Sequence, residues 1–164
     1  MDGLIDQRYP SLDRALELVV RARAEAEARS LSLALCVVDT GGHTIASARM
    51  DGAALGAMQL AEGKAYTAVL WGTPSGYFMG STQPGADDWG FNATDPRIVV
   101  YAGGLPLFAD GMLVGGVGAS RRNGGPGRSV CHRGSAGAGV HARVARTTTI
   151  TVARRARACR RRSH

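Results

Sequence analysis

Two short turns rich in Asp and Gly constrain the fold of this chain more than any other feature. The first, DTGG at 39–42, follows residues 31–38, where apolar side chains alternate as they do in a β-strand. The second, DG at 110–111, lies in the middle of the apolar stretch 105–118. Asp and Gly adopt the backbone angles of tight hairpins, so each turn predicts a pair of neighbouring antiparallel strands. The apolar run at 98–101 predicts one further, buried strand.

Two segments with helical spacing lie on either side of the first hairpin. The first begins after Ser11, a residue type favoured at helix N-caps, and runs to about Arg29. Its predicted core face consists of Leu12, Ala15, Leu16, Val19, Val20 and Arg23. The second runs from about Leu55 to Trp71, and its stripe of small residues indicates close packing on a sheet. This order predicts an α+β fold with helices packed on a mainly antiparallel sheet.

The charge of the chain is divided unevenly between two regions. The net charge is +7, but residues 1–120 hold all 13 acidic residues against 8 Lys and Arg, a formal balance of −5. Residues 121–164 hold 12 Arg, no acidic residue and no aromatic residue. We therefore predict a folded domain over 1–120, followed by an irregular or disordered segment over 121–164 that we call the Arg-rich tail.

Several classes of protein do not fit this sequence. No apolar run is long enough to span a bilayer, and the first six residues lack the basic and apolar regions of a secretory signal. Cys36, Cys131 and Cys159 have neither the number nor the spacing of a disulfide framework or a zinc site. The sequence also lacks phosphate-binding GxxxxGK[ST] loops and GxSxG elbows. We expect a cytoplasmic protein that does not act at a membrane.

Six motifs follow one another in order between residues 12 and 120. They are VVDTGGH at 37–43 with ARMDGA at 48–53, KAYTA at 64–68, GFNAT at 90–94, RIVV at 97–100, GGLPLF at 103–108, and DG at 110–111 with VGGVGAS at 114–120. In this order the motifs resemble the GlcG/HbpS family of haem-binding or haem-degrading domains. The resemblance implies a single profilin-like domain with a five-stranded antiparallel sheet and packed helices. It also implies a homo-oligomer that binds haem, or less readily a corrinoid.

The resemblance ends at the start of the Arg-rich tail. The family continues after Ser120 with Gly-Gly-Thr, two variable residues and Gln-Asp, whereas this chain reads RRNGGPGR at 121–128. One extra C before the codons GGC GGA ACG GCG GAC CAG GAC changes Gly-Gly-Thr-Ala-Asp-Gln-Asp into Arg-Arg-Asn-Gly-Gly-Pro-Gly. Our hypothesis is that 121–164 is a frameshifted reading. The alternative is a basic arm that contacts the phosphates of nucleic acid, although no aromatic side chain is present there to stack on bases.

Lys64 and Thr67 are the first candidate site residues, since positions three apart share one face of a helix. Their ammonium and hydroxyl groups are predicted to converge on an anionic or carbonyl-bearing ligand between the sheet and the second helix. The alternative is an exposed lysine beside a threonine that bonds back to its own helix backbone. Both interpretations remain open from the sequence.

The first hairpin supplies three further candidates. His43 follows the Gly-Gly turn and is a candidate ligand of haem iron through a neutral imidazole nitrogen, or else an exposed turn residue. Arg49 and Asp51 lie at the end of the second strand. They are candidates for holding propionate or carboxylate groups, or else an ion pair that fixes the turn.

Asn92, Gly103 and Gly104 complete the set of candidates, because they border the predicted strand at 98–101. Glycines allow backbone amides to approach a ligand closely, although a turn ahead of Pro106 would also require them.

Three functions follow from these features. The first is binding of haem or a related tetrapyrrole by a homo-oligomer. The second is an enzyme on the same fold that acts on a small carboxylate or oxygenated metabolite, with Lys64 orienting the carboxylate. The third, which we favour least, is nucleic-acid binding through the Arg-rich tail.

Overall fold

The computed structural model describes residues 7–121, together with the backbone of residues 140–141 and 151–152. Two α-helices and six β-strands are present in these residues. They are α1 (Leu12–Glu27), β1 (Leu33–Val38), β2 (Thr44–Arg49), α2 (Ala57–Trp71), β3 (Gly104–Ala109), β4 (Met112–Arg121), β5 (Val140–His141) and β6 (Thr151–Val152). Two short 3-10 helices, Ser75–Met79 and Phe91–Ala93, lie between α2 and β3. The hypotheses of frameshift, disorder and nucleic-acid binding concern the Arg-rich tail, most of which lies outside the described residues.

The main sheet has the strand order β2-β1-β4-β3, and every neighbouring pair is antiparallel. Both predicted hairpins are confirmed. Gly42 has a φ of 78° in the β1–β2 turn, and Asp110 and Gly111 have φ values of 51° and 80° in the β3–β4 turn. These positive angles explain the glycines of both turns and Asp110, whereas Asp39 accepts backbone hydrogen bonds within the first turn. The strands β5 and β6 pair with each other in a two-stranded sheet separate from the main sheet.

The two helices cover opposite faces of the main sheet. Leu35 and Val37 of β1 pack in a core with α1, whereas Ala34, Cys36 and Val38 pack in a second core with α2. Both sets of β1 side chains are therefore buried. The predicted α+β architecture is confirmed, with the sheet as the middle layer.

The predicted core face of α1 is confirmed at Ala15 and Val19 and wrong at its other four residues, because the helix is rotated about its axis. Ser11 does cap α1, and its Oγ accepts a hydrogen bond from the Arg14 amide at 3.3 Å. The buried residues of α1 are Ala15, Leu18, Val19 and Ala26, whereas Leu12, Leu16 and Val20 are 57%, 47% and 64% exposed. The helix has apolar residues on two sides, so spacing alone left its rotation undetermined. The buried side carries small alanines, which allow close packing on β1 and β2.

The predicted strand at 98–101 is absent from the described part of the chain, and the main sheet there has four strands instead of the expected five. The backbone here forms hydrogen bonds with side-chain hydroxyls instead of with a neighbouring strand. The Val99 amide donates to Thr67 Oγ1 at 2.8 Å, and the Ser75 hydroxyl donates to the Tyr101 carbonyl at 2.6 Å. The Gly104 amide in turn donates to Ser75 Oγ at 2.9 Å. We call residues 98–103 the crossing segment, because they pass beside α2 before β3 begins.

Gly104 and Gly118 of the main sheet lie directly against the backbone of α2, and we call this pair the glycine seat of α2. A Cβ atom at Gly118 would lie 1.9 Å from the Ala61 carbonyl oxygen, and one at Gly104 would lie 2.0 Å from the Lys64 carbonyl oxygen. The backbone of α2 therefore rests directly on the backbone of β3 and β4, which confirms the prediction of close packing. This contact fixes the position of every side chain that α2 presents.

Candidate functional site

Lys64 lies on the face of α2 that packs against β4, and only 7% of its surface is exposed. Its Nζ donates to Ser120 Oγ at 3.1 Å and to the Ala119 carbonyl oxygen at 3.3 Å. A Cβ atom at Gly103 would lie 3.4 Å from the same Nζ. The structure therefore brings together three of the candidate residues, since Gly104 packs against the Lys64 backbone beside them.

The ammonium group of Lys64 has only neutral partners in the described part of the chain. Burial lowers the pKa of Lys64, and no neighbouring charge opposes this shift. A buried ammonium is ordinarily paired with an anion, because transfer of a charge from water into a protein interior is costly. This site can therefore accept negative charge from a ligand, or hold an amine that loses its proton more readily than an exposed lysine.

Thr67 does not share a ligand position with Lys64. It is fully buried, and its hydroxyl donates to the Gly63 carbonyl at 2.8 Å while accepting from the Val99 amide at 2.8 Å. These bonds tie α2 to the crossing segment. The structure thus gives Thr67 the backbone-bonding arrangement that the sequence left as an alternative.

A cluster of Tyr66, Asp95 and Arg97 lies on another side of α2. The Tyr66 hydroxyl donates to Asp95 Oδ2 at 2.8 Å, and Arg97 lies over the Tyr66 ring at 4.0 Å from its centroid. Arg97 also donates to both carboxylate oxygens of Asp95, which holds the pKa of that carboxyl far below its usual range. The sequence analysis missed this cluster, because Tyr66 and Asp95 are 29 positions apart and no motif links them.

His43 lies at the tip of the first hairpin, with 82% of its side chain exposed. Asp39 Oδ1 accepts from the backbone amides of Gly41 and His43, both at 2.8 Å, and lies 3.4 Å from His43 Nδ1. Gly42 packs on Tyr66, since a Cβ atom there would lie 2.4 Å from the Tyr66 ring. The hairpin tip is therefore anchored, and it presents the imidazole to solvent.

The other candidate residues are separated from Lys64 and are exposed. Arg49 donates to the Ala53 carbonyl at 3.3 Å, and Asp51 lies in the turn that follows β2. Asn92 lies in the 3-10 helix Phe91–Ala93, next to an aromatic cluster. That cluster consists of Trp71, Tyr77, Phe78 and Phe91, with adjacent ring centroids 4.7–5.6 Å apart.

A cleft of about 240 Å³ opens between the start of α1 and the β3–β4 hairpin. Its apolar wall includes Leu18, Leu107 and Val114, and Arg8 and Arg14 also line it. Within the described residues, no group of three or more His, Cys, Asp or Glu side chains is arranged to hold a metal ion. The same residues include no helix that is long and apolar enough to cross a membrane.

Comparison with known proteins identifies the family. Residues 11–128 match the family model described as haem degrading protein HbpS-like. The chain belongs to the HbpS-like family. The motifs that suggested this assignment include Lys64 and the hairpin with His43, so the family region contains both parts of the candidate site.

Relatives of this HbpS-like chain include proteins of known structure. Over 85 residues it is 39% identical to an uncharacterized 15.0 kDa protein from the dhaT-dhaS intergenic region of Citrobacter freundii. The match covers 51% of this chain and 60% of that relative. The crystal structure of Klebsiella pneumoniae protein ORFY has a TM-score of 0.71 and 26% identity, over 74% of this chain and 85% of that one. The crystal structure of a PduOC:heme complex has a TM-score of 0.62 and 32% identity, over 66% and 80% of the two chains.

Proposed function

We propose that this chain binds haem at the tip of the β1–β2 hairpin, with His43 as the iron ligand. The class of ligand is supported by membership of the HbpS-like family and by the relative that was crystallised as a complex with haem. From this chain itself, the observation that carries the proposal is the geometry of His43. Its imidazole is exposed, while one ring nitrogen faces a carboxylate.

The surroundings of His43 fit a haem ligand. Histidines that bind metals usually direct their second ring nitrogen toward a carboxylate or carbonyl, which fixes the orientation of the ring. Asp39 occupies this position beside Nδ1 and leaves Nε2 for the iron. Because Asp39 also accepts two backbone hydrogen bonds, its carboxylate is itself held in place. Haem bound here supplies an iron centre for electron transfer or oxygen chemistry.

The proposed site at the hairpin tip differs from the enclosed clefts that bind most small ligands. The cleft beside α1 has a volume of about 240 Å³, which is below the range of roughly 300–1,000 Å³ that encloses typical ligands. The hairpin tip, by contrast, is open to solvent and packs on Tyr66, and the guanidinium group of Arg97 lies over the ring of Tyr66. Haem at this tip stays accessible to a second protein or a reductant. Arg49, Asp51 and Asn92 stay predicted ligand-binding residues, but Arg49 and Asp51 lie at the end of β2 opposite to His43.

Haem titration of the full chain tests the proposal. We expect a Soret band that saturates at a fixed stoichiometry, and a shifted or abolished band in His43→Ala. The matched control replaces the other three histidines, His132, His141 and His164, by alanine while His43 is retained. This control is expected to bind haem as the wild type does. An unchanged spectrum and affinity in His43→Ala would refute the proposal.

Asp39→Asn tests the orienting role of the carboxylate separately. The amide oxygen of Asn still accepts the two backbone hydrogen bonds, so the hairpin turn is expected to persist. Loss of the negative charge makes the imidazole a weaker donor to iron and raises the reduction potential of bound haem. If the reduction potential of bound haem is identical to that of the wild type, Asp39 stabilises the hairpin turn and does not act on the imidazole.

The proposed form of the protein is a homo-oligomer that uses the outer side of α1. Leu12, Leu16 and Val20 recur every four residues and form an exposed apolar stripe on this helix. Leu16→Arg is therefore expected to dissociate the oligomer in size-exclusion chromatography with light scattering. Leu55→Arg is the control, because Leu55 is 83% exposed outside α1. A wild-type monomer, or an oligomer unaffected by Leu16→Arg, would exclude this interface.

A further inference from the structure

Lys64 and Ser120 are two buried polar side chains whose hydrogen-bonding capacity is only partly used. Lys64 is 7% exposed and Ser120 is 3% exposed. An ammonium has three N–H donors, and two of them are directed to Ser120 Oγ and to the Ala119 carbonyl oxygen. The Ser120 hydroxyl accepts from Lys64, and its own hydrogen has no acceptor in the described part of the chain. One N–H and one O–H donor thus remain available at the same point.

We propose that these two groups bind the carboxylate of a small organic acid. A carboxylate has two oxygens, which match the two available donors, and its negative charge pairs with a buried ammonium that has only neutral partners. A phosphate group is a poorer match, since its sites usually supply several backbone or Arg donors. The site lies on α2 and β4 and uses neither His43 nor Asp39, so it is independent of the proposed haem site.

Gly103 is the exposed residue beside this pair of donors. A Cβ atom there would lie 3.4 Å from Lys64 Nζ and 2.5 Å from the Ala119 carbonyl oxygen, so the backbone of residue 103 packs directly over the amine. Its φ of 127° favours glycine, and its carbonyl accepts from the Ala119 amide at 2.8 Å, which fixes the start of β3 beside β4. Lys64 and Ser120 are both more than nine-tenths buried. We therefore restrict the proposal to acids of one to three carbons.

The composition of the chain provides a direct probe of the site. Lys64 is the only lysine, so protein grown with ¹³Cε-lysine gives a single lysine resonance from the unmodified full chain. Formate, acetate and glycolate are the probes, each compared with chloride at the same ionic strength. We expect a saturable shift of the Lys64 resonance with at least one of the acids. A linear response equal to that of chloride would refute the proposal.

Two variants separate a carboxylate site from a structural role of Lys64. Ser120→Ala removes one donor and is expected to weaken binding of the same acid about tenfold, whereas Ser47→Ala, on β2, leaves it unchanged. In thermal melts, the acid is expected to raise the Tm of the wild type and to leave the Tm of Lys64→Met unaltered. Equal stabilisation of both proteins would place the acid elsewhere and overturn the proposal. Haem titrations of these variants are expected to match the wild type, so failure here leaves the haem proposal standing.

Discussion

Gly118→Ala is the substitution that tests most directly how α2 is held on the sheet. The added Cβ would lie 1.9 Å from the Ala61 carbonyl oxygen and 2.8 Å from the Ala65 amide nitrogen. Both atoms belong to the backbone of α2, so no side-chain rotation can relieve the contact. Ordinary van der Waals contact begins near 3.4 Å. The helix must therefore move away from β4 by about 1.5 Å, the difference between 3.4 Å and 1.9 Å.

The expected cost follows from this displacement. Overpacking a well-packed core costs about 1–3 kcal/mol, and more where backbone has to move. Since α2 rests on Gly104 as well as Gly118, the shift loosens contacts along the whole seat. We expect Gly118→Ala to lower the free energy of unfolding by about 3 kcal/mol. For a chain of this length, that corresponds to a decrease in Tm of roughly 6–12 °C.

Thermal and urea unfolding followed by circular dichroism measure the effect. Gly80→Ala is the matched control, because Gly80 has right-handed helical angles and a Cβ there would meet no atom within 4 Å. This variant is expected to leave the free energy of unfolding unchanged or to raise it by about 0.4–1 kcal/mol, because alanine makes the unfolded chain less flexible. If Gly118→Ala lowers the free energy of unfolding by less than about 1 kcal/mol, the backbone contact between α2 and β4 is not what positions the helix.

Three further predictions concern charge, thiol reactivity and helix capping. Because Arg97 lowers the pKa of Asp95, the native carboxylate stabilises the fold above its ordinary pKa, and this contribution is lost as the pH falls below about 4. Asp95→Asn is therefore expected to flatten the acid limb of the Tm profile, and an unchanged limb would contradict the assignment. Burial raises the pKa of the Cys36 thiol, so with the other two cysteines changed to serine, Ellman's reagent should react only after unfolding. Ser11→Ala removes the cap on the Arg14 amide and should cost about 0.5–2 kcal/mol in chemical denaturation, whereas a cost near zero would show that the cap is dispensable.

Local chemistry determined the parts of the fold that could be predicted. Both hairpin turns were identified because Gly42, Asp110 and Gly111 adopt positive φ and Asp39 accepts hydrogen bonds from the amides of its own turn. The start of α1 was identified because Ser11 caps it through a bond to a residue three positions away. The predicted orientation of α1 about its own axis was wrong. Apolar residues occur on two sides of this helix, and only its packing on β1 and β2 selects the buried one.

Contacts between distant residues account for what the sequence analysis missed. The run at 98–101 has strand composition, yet its amide at Val99 binds the hydroxyl of Thr67, which is 32 positions away. The candidate site was likewise only partly foreseen. Helical spacing put Lys64 and Thr67 on one face, but the glycine seat of α2 directs Nζ toward β4 and the hydroxyl toward the crossing segment. The Tyr66–Asp95–Arg97 cluster arises from the path of the chain after α2, for which the sequence has no local signal.

The crossing segment is held on α2 by a hydrogen bond to a side-chain hydroxyl, and the strength of this bond sets how often the segment opens. Amides within the sheet exchange their hydrogen only when a ladder of many bonds breaks, whereas the amide of Val99 depends on a single side-chain oxygen. That oxygen belongs to Thr67 of α2. Hydrogen exchange at the Val99 amide therefore reports the lifting of the crossing segment from α2, separately from global unfolding. Gly103 ends the same segment and lies beside Lys64, so an opening that extends to Gly103 also uncovers the buried amine.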